Sequence, residues 1–226
     1  EHPTTQQIMR TLASNWKIVL LGMCMVATTT TMFYFITVYT PTYGKEVLNL
    51  SSTESLIATV MVGASNFLLL PIGGHLSDKF GRKPLLIITS VLIFLSAYPL
   101  LNWLAHDISL AHMLLALLWL SLLYSFYNGA LVVSLTEIMP SSVRIAGFSV
   151  AYSLATSVFG GLTPMIATYL VQSSGSKSMP AFWLMLAAII SFIATLIIFR
   201  QQQMIRGNVS THQHSIDQHA ALISDK

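Results

Sequence analysis

Charge is what this chain has least of. Asp, Glu, Lys and Arg make up only 8% of its 226 residues, against roughly a quarter in soluble domains. With 54% hydrophobic residues and a mean hydropathy of +0.69, the composition excludes an ordinary water-soluble globule and points to an integral membrane protein. Cysteine is almost as scarce. The single Cys24 excludes an intramolecular disulfide and argues against a cysteine-rich metal site or thiol redox chemistry. It lies in an apolar run, where it reads as a small packing hydrophobe. No stripe of Lys and Arg suggests nucleic acid, and the formal charge of +3 comes mostly from cations in loops and tails. Glu1 to Asn15 carries no apolar core of the kind a cleavable signal needs, so the first apolar segment is expected to act as its own signal unless further sequence precedes it.

What is present is a series of apolar runs. Six meet the length of about 20 residues that a bilayer-spanning helix needs. They run approximately Ile18–Val38, Leu56–Leu76, Leu85–Leu104, His112–Leu135, Ile145–Val171 and Ala181–Phe199. The expected fold is therefore all-α and polytopic. Assigning cations to alternate sides places Arg10, Lys17, Lys79, Arg82, Lys83, Arg144, Arg200, Arg206 and Lys226 together, with only Lys45 and Lys177 opposite. The positive-inside bias then puts both termini in the cytoplasm, and a plasma (inner) membrane is the expected location. Three parts follow: a cytoplasmic segment 1–17, a transmembrane bundle 18–200, and a cytoplasmic tail 201–226 whose Gln, Ser and His content predicts disorder. His212, His214 and His219 in that tail are weak metal-ligand candidates, and no metal site or cofactor is expected.

The densest charge within the apolar body is Gly74 to Lys83, between the second and third segments. Gly81 suits a tight turn, and Arg82 and Lys83 would hold the loop on the cytoplasmic side. A generic basic turn explains the cations alone. The spacing of Gly74, Asp78, Gly81, Arg82 and Lys83 also resembles the G-x-x-x-D-x-x-G-R-K signature of the major facilitator superfamily of secondary transporters. A second run, Glu137, Pro140, Arg144 and Gly147, resembles that superfamily's acid–proline–arginine–glycine element at the cytoplasmic end of the tenth of twelve helices. The resemblance implies that the six segments are helices seven to twelve, the C-terminal half of a twelve-helix major facilitator fold, and that residues 1–17 belong to the loop between halves. It narrows to the metabolite–proton symporter family, most closely to citrate–proton symporters, on TTTMFYFITVYTPTYG (29–44), SNFLLLPIGG (65–74), YNGALVVSLTEIMPSSVR (127–144) and GFSVAYSLATSVFGGLTP (147–164). Proton-coupled uptake of citrate or a related carboxylate by alternating access is what this resemblance implies. Its partners would be the carboxylate, a coupling proton, the lipid membrane and an N-terminal six-helix half.

The residues limit what this half can contribute. No Asp, Glu, Lys, Arg or His falls near the middle of a segment, whereas ion and proton pathways are normally marked by such groups. Cations that offset a polyanion, and a titratable proton carrier, would then lie in the other half. Hydroxyls, amides and aromatics remain. The candidate wall is Thr30, Tyr34, Thr37, Asn66, Tyr124 and Asn128. The threonines of Thr28–Thr31 suggest a polar path along one face of the first helix, although threonines also bond their own backbone. Pro71 with Gly73 and Gly74 suggests a break in the second helix. Gly74, Asp78, Gly81, Arg82, Lys83, Glu137, Pro140 and Arg144 are candidate gating residues under the resemblance, latching the outward-facing state.

Other readings stay open. Substrates of the tricarballylate, 2-oxoglutarate, shikimate or betaine type fit the same family, and a passive six-helix channel or assembly subunit fits the composition. An enzyme is not expected: Gly63-Ala64-Ser65-Asn66 superficially resembles the nucleophile motif of an intramembrane serine protease, but the last segment contains no histidine to serve as base. His106 and His112 fall in or beside a loop opposite the cytoplasm, and Asn49-Leu50-Ser51 forms a sequon to which no function is attached.

Overall fold

The computed structural model describes the backbone of residues 5–139, 141 and 144–224, with side chains between 7 and 203 apart from 8, 9, 12, 140, 142, 143 and 202. The described residues form helices joined by short turns, with no strand among them. A short helix α1 (Thr5–Ser14) precedes α2 (Trp16–Val47), α3 (Ser52–Phe80), α4 (Arg82–His106), α5 (Leu110–Ile138), α6 (Arg144–Ser174) and α7 (Pro180–Ser224). Helices α2 to α6 and the Pro180–Gln201 part of α7 are long and apolar enough to cross a membrane. All six predicted segments are therefore present, each longer than its apolar run, because capping and amphipathic residues extend the helices past the hydrocarbon. Ser51 opens α3 with a capping box, its hydroxyl accepting from the Glu54 N–H while the Glu54 carboxylate accepts from the Ser51 N–H. Gly81, at φ 90°, separates α3 from α4 in a conformation that a side chain would strain.

Three local expectations change. Helix α3 runs unbroken through Pro71, Gly73 and Gly74. The two glycines serve packing: a methyl on Gly73 would run into the Ser125 carbonyl of α5, and one on Gly129 would lie 2.5 Å from the Gly74 nitrogen. Backbones of α3 and α5 touch here, as small residues permit between membrane helices. Helix α2 continues beyond Val38 by widening to π-helical turns at Tyr34–Tyr39 and Tyr43–Val47, which accommodates Pro41 where a regular ladder would lose a hydrogen bond. Helix α7 continues to Ser224, where composition predicts disorder. No proline follows Pro180, and Gln201, Gln202 and Gln203 are good helix formers.

Helices α2 and α5 form the centre. Helix α2 packs on α5, α6 and α7, and α5 packs on α3 and α4. Two buried clusters result. One, toward the α2–α3 turn, gathers Met32, Phe35, Ile36, Tyr39 and Tyr43 with Leu101, Leu104, Leu117 and Leu120. The other, toward the α3–α4 turn, gathers Met25, Val26, Leu86, Tyr127, Leu131 and Leu135. Hydroxyls pin the centre: Ser191 of α7 accepts from the Thr28 N–H at 3.1 Å and donates to the Cys24 carbonyl at 2.8 Å, while Tyr127 donates to the Met25 carbonyl at 2.7 Å. The outside is apolar, with Phe67 80% and Ile145 84% exposed. Such a surface suits lipid or protein and is too apolar for water.

Candidate functional site

Both helices that carry π-helical turns meet across a small cavity. In α2 the widened turn begins at Tyr34, and in α6 it spans Thr156–Gly160, closed by the Gly161 N–H donating to the Thr156 carbonyl at 2.7 Å. Such turns shift the side-chain register and recur at functional sites. Their first residues, Tyr34 and Thr156, join Thr30, Phe33, Tyr124 of α5 and Tyr152 of α6 around a cavity of about 180 Å³. Phe33 sits edge-on to Tyr34 at 5.9 Å and 5.8 Å from the Tyr124 ring. Thr30 donates to the Val26 and Ala27 carbonyls at 3.2 Å, and lies 3.4 Å from the Ala155 carbonyl of α6, tying the two walls together. Thr156 donates to the Tyr152 carbonyl at 2.8 Å. The lining carries three phenols and two aliphatic hydroxyls, and none of its six residues carries a formal charge. It can hydrogen-bond a polar solute and cover its apolar faces; it cannot neutralise a full charge.

Of the wall residues read from the sequence, Thr30, Tyr34 and Tyr124 come together here. Thr37 lies almost one helical turn further along α2, and its hydroxyl bonds the Phe33 carbonyl. Asn66 is buried between α3 and α5, accepting from Ser121 at 2.5 Å and from Ser125 at 3.5 Å, so it fastens two helices outside the cavity. Asn128 is half-buried, its side-chain oxygen unpartnered, and it does not line this cavity. The expected threonine face also resolves differently. Thr28, Thr29 and Thr31 are buried in the bundle with unpartnered hydroxyls, and only Thr30 reaches the cavity. The sequence reading missed Phe33, Tyr152 and Thr156. The latter two were visible as an i, i+4 pair, which shares one helix face. The serine-protease reading loses its nucleophile: Ser65 is bonded to the Val62 carbonyl at 2.9 Å and to the Ser121 hydroxyl at 2.6 Å, neither of which is a base.

A second cavity, about 430 Å³, opens at the α3–α4 turn. Ser77, Asp78, Gly81, Arg82, Lys83 and Pro84 line it with Glu137 from the end of α5 and Phe199 and Gln203 from α7. Arg82 pairs with Glu137, which joins the two charged motifs that the sequence separates by more than fifty residues. Gly74 lies against Gly129 a turn before Asp78. Arg144 is exposed at the start of α6 and does not line this cavity; Pro140 falls outside the described residues. The side chains of His212, His214 and His219 fall outside them too.

Residues 2–202 match the sugar (and other) transporter family. The chain belongs to that family, within the major facilitator superfamily. Among relatives of this major facilitator chain, the citrate-proton symporter of Klebsiella pneumoniae is 52% identical over 200 residues, 88% of this chain and 45% of the relative. The citrate-proton symporter of Salmonella typhi is 52% identical over 197 residues, 87% of this chain and 45% of the relative. A glycine betaine/proline/ectoine/pipecolic acid transporter of Dickeya dadantii is 30% identical over 184 residues, 81% of this chain and 36% of the relative. The chain thus spans about half the length of the curated relatives it matches, and the part of the two symporters it matches is their C-terminal half.

Proposed function

We propose that this chain forms the C-terminal six-helix half of a proton-coupled citrate symporter that works by alternating access. The observation that carries the reading is the uncharged tyrosine–threonine cavity between α2, α5 and α6, in a chain 52% identical to citrate-proton symporters. Carboxylate oxygens accept hydrogen bonds from phenols, so Tyr34, Tyr124 and Tyr152 can hold and orient the ligand, while the Thr30 and Thr156 hydroxyls, whose protons go to backbone carbonyls, can accept from a hydroxyl on the ligand. A polyanion in a low-dielectric site also needs cations, and coupling needs a titratable group. Neither lines this cavity, so both are assigned to the partner half. In this reading substrate sits where the two halves meet near the bilayer midplane, and the halves rock about it. Asp78, Arg82, Lys83 and Glu137 lie far along the bundle at the α3–α4 turn, where they latch one state of that rocking. The cation distribution supports a cytoplasmic position for this end and for both termini, in a protein read as one of the inner membrane.

A second reading has one observation in its favour. Phe33, Tyr34, Tyr124 and Tyr152 put four aromatic rings around a cavity without charge, which suits a quaternary ammonium through cation–π attraction; the Dickeya dadantii relative is named for glycine betaine. The test is uptake by proteoliposomes holding the protein as its gene encodes it. Labelled citrate should accumulate above equilibrium when the outside is acid and leak back when an uncoupler is added. Equilibration without accumulation would replace symport by a passive channel, and accumulation of betaine without citrate would favour the second reading.

A further inference from the structure

Gly160 is the last residue of the π-helical turn in α6 and is buried against the cavity wall. A methyl group built on it would lie 2.8 Å and 2.9 Å from two ring carbons of Tyr34, and 3.3 Å from Thr30 Cβ. Carbon atoms in good contact sit about 3.5–4.0 Å apart. The Tyr34 ring therefore occupies space that any side chain at position 160 would claim. Of the two neighbours, Thr30 Cβ is fixed to the α2 backbone and cannot retreat. The Tyr34 ring can, but Phe33 covers one edge of it, so the open direction is the 180 Å³ cavity.

We infer that Gly160 sets the size limit of this cavity: by leaving room for the Tyr34 ring against α6, it keeps the space open wide enough for a branched tricarboxylate. This rests on the carboxylate reading above. Gly160→Ala pushes the ring inward by roughly half an ångström or more, which penalises a large ligand before a small one. Because a change of about one methylene against a hydrophobic wall alters discrimination by about tenfold or more, the KM for citrate should rise about tenfold while inhibition by malonate, a three-carbon dicarboxylate, stays within about twofold.

The experiment measures citrate uptake and malonate inhibition in proteoliposomes for wild type, Gly160→Ala, Tyr34→Ala and the double variant, at matched protein levels. With the Tyr34 ring removed, Gly160→Ala should have no further effect on citrate KM, an outcome that general misfolding would not produce. Equal losses for citrate and malonate, or the same effect of Gly160→Ala in both backgrounds, would overturn the inference. A second measurement needs no transported substrate. In a Cys24→Ser background, Thr156→Cys is labelled by methanethiosulfonates of two sizes; Gly160→Ala should slow the larger reagent more than the smaller. Equal slowing overturns the size limit. If wild type does not carry citrate, the carboxylate reading falls while the labelling rates still decide the role of Gly160. If Gly160→Ala does not reach the membrane, Tyr34→Ala alone should speed the larger reagent preferentially, and an unchanged ratio would overturn it.

Discussion

Replacing Gly129 by alanine probes the close backbone contact between α3 and α5. The added methyl would lie 2.5 Å from the Gly74 nitrogen, 2.6 Å from the Gly73 carbonyl carbon and 3.0 Å from its oxygen. All three are backbone atoms of α3, so no rotamer change relieves the clash. Restoring ordinary separation needs α3 and α5 to part by about 1 Å, and a gap of that order forfeits a quarter to a half of each contact's attraction along the seam. Two turns away the same seam holds the 2.5 Å Ser121–Asn66 and 2.6 Å Ser65–Ser121 hydrogen bonds, which lengthen with it. Overpacking of this kind costs about 1–3 kcal/mol, and alanine returns up to about 1 kcal/mol of helix preference over glycine. The expected net loss is about 1–2 kcal/mol. The assay is thermal unfolding of the detergent-purified protein, with Gly63→Ala as control. Gly63 lies on α3 with nothing within 4 Å of an added methyl, so its replacement should be neutral or stabilising by up to about 1 kcal/mol. A Gly129→Ala protein as stable as wild type, or a Gly63→Ala protein equally damaged, would refute the backbone-contact argument.

Other perturbations separate the two cavities. Tyr152→Phe and Thr156→Val remove hydroxyls from the 180 Å³ cavity and should each raise the KM for citrate several-fold with little loss of thermal stability; unchanged uptake kinetics would remove α6 from the binding wall. Asp78→Asn should lower turnover more than equilibrium citrate binding, and equal losses in both would count against a gating role. Glu137→Gln breaks the pair with Arg82 in a setting half open to solvent, so its effect on stability should stay below about 1 kcal/mol. Exchanging the charges as Arg82→Glu with Glu137→Arg should recover transport that either single change loses, and failure to recover would show that the pair is not what matters. Ser191→Ala leaves the Thr28 N–H and Cys24 carbonyl without their bridging hydroxyl and should cost about 1 kcal/mol in thermal unfolding.

The six spans, their order, the Gly81 turn and the superfamily motifs are legible from the chain alone because each is a local property. A run of about 20 apolar residues must satisfy its backbone within itself once in lipid, which leaves helix as the only form. The asymmetry of Lys and Arg is likewise countable residue by residue. Which polar side chains meet is a different kind of fact. Asn66 and Tyr124 look equally suited to a binding wall in sequence, yet one is consumed between α3 and α5 while the other faces the cavity. Pro71 and its glycines read as a break, and packing turned them into a seam against Gly129. Tyr152 and Thr156 share a face of α6 by spacing, but only the crossing of α6 with α2 brings that face opposite Thr30, just ahead of the widened turns that begin at Tyr34 and Thr156. A π-helical turn rotates everything beyond it relative to the 3.6-residue period, so periodicity cannot carry an assignment past it. The spans and their order follow from hydrophobicity integrated along the chain; the composition of the cavity depends on where helices touch, and tertiary packing alone sets that.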